Sequence, residues 1–142
     1  MRTEHESADQ RGAVEAENLS LVQRFYDDWT KRDAELLATY VADDLIYQMI
    51  EGEPDIVGKA AFVEILAPAL DIFHTVEMKI LQHHAIGQLV FSERFDTLLG
   101  KDEAHSMRFS VASYSVVYDG KITILKDYPI RGGTFELGES FT

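Results

Sequence analysis

The chain of 142 residues contains no cysteine, only three prolines and one tryptophan, and it has no long uninterrupted apolar run. The absence of cysteine excludes disulfides and thiol chemistry, and it makes a cytoplasmic location the default expectation. No apolar run is long enough to cross a bilayer, and the first residues lack the apolar core of a signal peptide. We therefore expect neither a membrane span nor a signal peptide.

Basic residues are also scarce, with 13 of them against 25 acidic residues, which gives a net charge of -12. A surface with this charge repels nucleic acids and anionic membranes, so neither is an expected partner. The remaining composition, 46% hydrophobic and 11% aromatic, is typical of a globular protein. The length is enough for one domain that buries a core of its own.

The pattern of the first half predicts a polar tail followed by helices. Residues 1–13 are charged and without periodicity, which predicts a disordered tail before a single domain at residues 14–142. A helical apolar stripe then recurs at three- and four-residue spacing from Glu15 onward, and it consists of Leu19, Val22, Phe25, Tyr26 and Trp29. Asp33 is placed to cap a short second helix, and a third is predicted from Lys59 to about Phe73, which Pro68 should kink or divide.

The remaining segments, most of them in the second half of the chain, have the pattern of strands. A short strand is expected at Leu45–Ile50, and long alternating segments follow at about residues 76–84, 87–99, 105–118 and 121–130. Asp119-Gly120 between the last two is a strong hairpin signal. Helices followed by a meander of long strands indicate an α+β fold, with the N-terminal helices packed in the concavity of a curved, mostly antiparallel sheet that leaves a cavity open at one end.

Three charged residues stand out inside these apolar strands. Arg94 and Asp96 are two residues apart and must point to the same face of a strand, whereas Asp127 ends the apolar segment Ile122–Leu125. Such charges are costly to bury unless they meet one another. A carboxylate pair bridged by a guanidinium can hold one acid protonated and the other ionised. Such a pair provides the general acid and the general base that acid–base catalysis requires.

The order of elements resembles the nuclear transport factor 2-like cone, also called the SnoaL-like fold. Glu93–Leu98, Gly120–Thr123 and Lys126–Tyr128 resemble the two catalytic segments of limonene-1,2-epoxide hydrolase, and Leu45–Gln48 resembles its tyrosine-bearing strand. The resemblance covers the chain from about residue 15 to residue 130.

This resemblance implies a one-step, cofactor-free hydrolysis of an apolar epoxide to a vicinal diol, without a metal. Asp127 would be the base that takes a proton from water, and Asp96 the acid that protonates the epoxide oxygen. Arg94 would hold both carboxylates, and Tyr47 would position the water.

One position departs from that family, because Met49 stands where it has an asparagine that holds the water. A thioether is a weak acceptor and cannot donate. Water could still be held by Asp127 and Tyr47, which would give a weaker hydrolase. Alternatively, a group of the substrate attacks, and the protein is an acid–base cyclase or isomerase of a natural product with Met49 in the wall of its pocket. A third hypothesis is a non-catalytic binding or dimerisation module, with Arg94 and Asp96 in a salt bridge on a solvated sheet face.

The opposite face of the Arg94 strand carries an apolar row formed by Phe91, Phe95 and Leu99. An exposed apolar row of this size usually marks a partner surface, and we expect a homodimer. His83 and His84 project to opposite faces of a strand, which argues against a shared metal site.

Overall fold

A computed structural model describes residues 7–130. The helices are α1 (Ala8–Asp27), continued by a 3-10 turn at Asp28–Lys31, then α2 (Ala34–Ala38) and α3 (Lys59–Asp71), with a 3-10 turn at Glu103–His105. The strands are β1 (Val41–Gln48), β2 (Ile56–Val57), β3 (Thr75–Ile86), β4 (Leu89–Leu99), β5 (Met107–Tyr118) and β6 (Lys121–Ile130).

The six strands form one curved sheet in the order β2-β1-β6-β5-β4-β3. Only β1 and β6 run parallel, and the other neighbours are antiparallel. This arrangement confirms the predicted α+β fold. In the described part of the chain, residues 7–130, no helix is both long and apolar enough to cross a membrane.

The first helix begins earlier than the sequence predicted. Ser7 caps its N-terminus by accepting from the Gln10 backbone, while the Gln10 side chain accepts from the Ser7 backbone at 2.7 Å. This reciprocal pair satisfies two N–H groups that the helix leaves unpaired, so a polar sequence can be helical. The prediction of a disordered tail is therefore wrong for residues 8–13, whereas residues 1–6 and 131–142 lie outside the described residues.

The corner between the first two helices has the predicted chemistry. Arg32 adopts a left-handed conformation with a φ of 52°, which turns the chain sharply. The Asp33 side chain then accepts from the Leu36 backbone N–H at 3.2 Å and caps α2. Of the two predicted effects of Pro68, a kink or a division of the third helix, the division is wrong, because α3 runs through Pro68 to Asp71.

The core lies between the helices and the concave face of the sheet. Val22, Phe25, Leu37, Phe62 and Leu70 from the helices are at most 2% exposed there. The strands contribute alternate residues, and β1 begins four residues before its prediction, because Val41 pairs with Ile122 of β6. The strand alternation of β4 turns Arg94 and Asp96 toward the helices, into the interior rather than toward solvent.

Candidate active site

Arg94, Asp96 and Asp127 come together as the sequence predicted. Their residues are 2%, 2% and 5% exposed, so all three are buried. Arg94 holds Asp96 through two parallel bonds, Nε to Oδ1 at 3.0 Å and Nη2 to Oδ2 at 2.8 Å. Its bonds to Asp127 are longer, with Nη1 to Oδ1 at 3.3 Å and Nη2 to Oδ2 at 3.4 Å. One guanidinium therefore bridges both carboxylates, and it does so unequally.

Tyr47 reaches the cluster from β1. Its hydroxyl donates to Oδ2 of Asp127 at 3.3 Å, and its ring packs against Phe62 with ring centroids 5.9 Å apart. The parallel pairing of β1 with β6, which places Tyr47 opposite Leu125, brings the two side chains to the same end of the sheet. Burial raises the pKa of Tyr47 well above its ordinary value, and the charge of Asp127 adds to this, so the hydroxyl stays a donor.

The pKa values of Asp127 and Arg94 are set by burial and by the charge that each group presents to the other. Burial raises the pKa of Asp127, and Arg94 opposes this only in part. Burial works against the charge of Arg94, but the carboxylates outweigh it and raise the pKa of Arg94 well above its ordinary value. With Arg94 charged, one proton shared by the two carboxylates would make the cluster neutral.

A partly enclosed cavity of about 280 Å³ lies against the cluster, and Tyr47, Arg94, Asp96 and Asp127 are among the residues that line it. The remaining wall is apolar and comes from both helices and sheet, with Leu66, Leu70, Phe73, Met78, Leu98 and Phe109 among its residues. Ligand pockets usually measure about 300–1,000 Å³, so this one suits a small apolar molecule. Met49 lines the cavity, as expected.

Two contributors to the site were missed. Ser113 of β5 accepts from Nη1 of Arg94 at 3.1 Å, and it is the residue paired with Ser92 on β4. Serines at inward positions of an apolar strand were the available signal. Tyr26 was interpreted as core only, yet its ring lies on Arg94, with Cζ 4.3 Å from the ring centroid. Nothing in the helical spacing shows which strand residue a stripe will meet.

The outer face of the sheet carries the predicted apolar row. Phe91 is 43% exposed, and its ring lies 6.4 Å from that of Tyr114 on the neighbouring strand. Phe95 and Leu99 lie on the same face and are half-buried. The apolar row is therefore present on the outer face, and the homodimer that would cover it stays a prediction.

Comparisons with known proteins agree with this fold. A family model described as a SnoaL-like domain matches residues 22–125, which is more than half of the chain. An LEH-like epoxide hydrolase from M. tuberculosis is 26% identical, with 86% of this chain and 89% of that chain covered and a TM-score of 0.76.

Two further solved structures share the fold at lower identity. A candidate polyketide cyclase from Xanthomonas campestris pv. campestris is 22% identical, with coverage of 81% and 91% and a TM-score of 0.70. A protein of ketosteroid isomerase-like fold from Catenulispora acidiphila is 19% identical, with coverage of 76% and 83% and a TM-score of 0.68. Proteins named for several chemistries thus share this architecture, so the fold by itself does not select one of them.

Proposed function

The chain belongs to the SnoaL-like domain family, and from that premise we propose that it is a cofactor-independent epoxide hydrolase acting on a small apolar epoxide. The observation that carries the proposal is the buried bridge from Asp96 through Arg94 to Asp127 at the wall of an apolar cavity. The similarity to an epoxide hydrolase over 86% of the chain supports it.

The proposed reaction is a single displacement on carbon. A water oxygen attacks one epoxide carbon while the C–O bond to that carbon breaks. Asp127 takes a proton from the water, and Asp96 gives its proton to the departing oxygen, so the product is a vicinal diol. The pair again holds one proton afterwards, on the opposite carboxylate, and return of that proton to Asp96 restores the starting state. Tyr47 donates to Asp127 and orients it toward the water.

Arg94 binds Asp96 more closely than Asp127, and this difference affects which carboxylate carries the proton. Its shorter, bidentate contacts go to Asp96, and burial raises the pKa of Asp127, so the free protein favours a proton on Asp127. The roles implied by the resemblance need that proton on Asp96 when the epoxide is bound. An epoxide oxygen that accepts from Asp96 would supply the shift, because a hydrogen bond to the protonated form favours that form.

The roles can be separated with two epoxides. A benzylic C–O bond, as in styrene oxide, breaks with less help from an acid than the bond in cyclohexene oxide. We expect Asp96→Asn to lose more activity on cyclohexene oxide than on styrene oxide, and Asp127→Asn to lose similar amounts on both. The reverse pattern would exchange the two roles.

The primary test measures diol formation from limonene oxide, styrene oxide and cyclohexene oxide. Loss of an acid or base group typically lowers the rate by about two to four orders of magnitude, which we expect for Asp96→Asn and Asp127→Asn. Asp43→Asn is the matched control, because that side chain is 99% exposed. Absence of diol from every epoxide would overturn the hydrolase proposal.

A second candidate function, an acid–base cyclase or isomerase, is favoured by Met49 alone. The side chain lines the cavity where a water-holding amide would stand. An epoxide with a hydroxyl on its own chain distinguishes the candidates, because attack by water gives a triol and attack by the internal hydroxyl gives a cyclic ether. A wild-type product of cyclic ether that changes to triol in Met49→Asn would support the cyclase. Triol from both proteins would support the hydrolase.

A non-catalytic module was the third hypothesis. It expected Arg94 and Asp96 on a solvated face, whereas both are 2% exposed beside a cavity. The geometry therefore favours catalysis. We also propose a homodimer through the outer sheet face, since Phe91 and Tyr128 are 43% and 37% exposed there. The cytoplasmic location stays a prediction.

A further inference from the structure

Tyr26 connects the first helix to the charge cluster. It lies on α1, is 2% exposed, and presents its ring to the guanidinium of Arg94 at 4.3 Å. A cation over an aromatic face is attracted by the ring, and the attraction is stronger when both groups are desolvated. Both groups are buried here, so this contact is of the stronger kind.

All N–H donors at the edges of the Arg94 guanidinium have acceptors. It has five N–H donors, and Asp96 accepts at Nε and Nη2, Asp127 at Nη1 and Nη2, and Ser113 at Nη1. These bonds restrain rotation within the plane of the group. The two bonds to Asp127 are the longest, at 3.3 and 3.4 Å, so a small tilt out of that plane would break them first. A ring against the face opposes such a tilt.

We propose that Tyr26 is a positioning residue whose ring, acting through Arg94, keeps Asp127 in its bridged geometry. The catalytic consequence rests on the proposed function. Tyr26 itself touches no reacting atom, because it does not line the cavity.

The ring and the hydroxyl of Tyr26 can be separated experimentally. The buried hydroxyl makes no hydrogen bond of ordinary geometry, although Ser113 lies close enough to influence it. Burial raises the pKa of Tyr26 far above its ordinary value, so the phenol is neutral. Tyr26→Phe therefore keeps the proposed contact, whereas Tyr26→Leu removes it. Phe25→Leu is the matched control, because Phe25 is 0% exposed on the same helix and its ring contacts are with Tyr26, Trp29 and Tyr40.

The first measurement is the pH dependence of kcat and KM, well below the unfolding temperature of every variant. For Tyr26→Leu we expect kcat to fall by up to about 30-fold, which corresponds to about 2 kcal/mol, with KM little changed. Its alkaline limb should also move to higher pH, because Asp127 loses contacts that favour its ionised form and therefore keeps the required proton to higher pH. Tyr26→Phe and Phe25→Leu should keep the wild-type limb. A wild-type limb in Tyr26→Leu, or an equal shift in Phe25→Leu, would overturn the proposal.

The second measurement does not depend on activity. Nitrogen NMR of the Arg94 side chain, assigned through the signals that Arg94→Lys removes, reports how fast the guanidinium rotates. We expect faster rotation in Tyr26→Leu but not in Tyr26→Phe or Phe25→Leu, and an unchanged rate in Tyr26→Leu would overturn the positioning role. A wild-type protein that opens no epoxide would refute the proposed function, while these signals would still decide the role of Tyr26.

Discussion

Replacing Arg94 with methionine would test the central claim that three charges share one buried cluster. Arg94 is 2% exposed and lies between two carboxylates that are 2% and 5% exposed. Methionine is similarly long and unbranched, so it preserves much of the packing and removes the cation. Removing one partner of a buried ion pair destabilises a protein by about 3–5 kcal/mol, because the other charge is left uncompensated. Since domains are stable by only about 5–15 kcal/mol, we expect Arg94→Met to be marginally folded at neutral pH.

The sign of the pH dependence follows from the same cluster. Without Arg94, burial is unopposed by a cation and the pKa of Asp127 rises further above its unfolded value. The folded variant then binds more protons than the unfolded chain, so its stability decreases as the pH rises. We expect the destabilisation to be greatest at neutral pH and to shrink toward the ordinary carboxyl pKa of about 4.

The assay is urea unfolding at neutral and acidic pH, followed by the fluorescence of Trp29, which is the single tryptophan and lines the cavity. The triple variant Arg94→Met/Asp96→Asn/Asp127→Asn should recover most of the lost stability, because it contains no unpaired charge. Arg108→Met is the control, since Arg108 pairs with Glu103 on the surface and such pairs contribute about 0–1 kcal/mol. A loss below about 1 kcal/mol in Arg94→Met, or one independent of pH, would refute the buried cluster.

Four smaller predictions complete the set. The alkaline limb of the wild-type kcat/KM profile should lie above the ordinary aspartate pKa of about 3.9, because the carboxylate pair loses its one proton as the pH rises through the raised pKa of Asp127; a midpoint at or below that value contradicts this. Met49→Asn should raise diol formation about 2- to 13-fold, equivalent to one neutral hydrogen bond of about 0.5–1.5 kcal/mol, and an unchanged rate would show that the water needs no amide. Phe91→Glu should produce monomers in sedimentation, whereas Ile72→Glu, also at an exposed position, should not, and a wild-type monomer contradicts the homodimer. Asp33→Ala should lower the free energy of unfolding by about 1 kcal/mol through the lost N-cap, and an unchanged denaturation midpoint contradicts that role.

Local rules account for what the sequence predicted correctly. Asp33 was identified as a cap because capping depends on a side chain and a backbone N–H three residues apart. Arg94 and Asp96 were placed on one face because the period of a strand is two. Helix α1 was predicted to start too late because its first turns are polar and carry no apolar period, and only the reciprocal bonds of Ser7 and Gln10 mark its beginning.

The cluster was predictable for a different reason, which is the free energy of burying charge. A short list of charged residues in apolar strands must be paired, so Arg94, Asp96 and Asp127 could be grouped before any pairing of strands was known. Their presence in one cluster is thus a property of the sequence. The expectation of acid–base chemistry follows from that grouping. The resemblance of the chain to a known family follows from the order of its segments.

Only the tertiary structure decided how Arg94 divides its bonds, which serine completes them and which ring covers its face. Asp96 receives the shorter bonds, Ser113 rather than Ser92 accepts the remaining N–H, and Tyr26 packs on the guanidinium from a helix nearly seventy residues away. These features depend on tenths of an ångström and on the register between strands and the packing of a helix across a sheet. Periodicity specifies which face a residue occupies, but it contains no information on which residue of another element that face will meet.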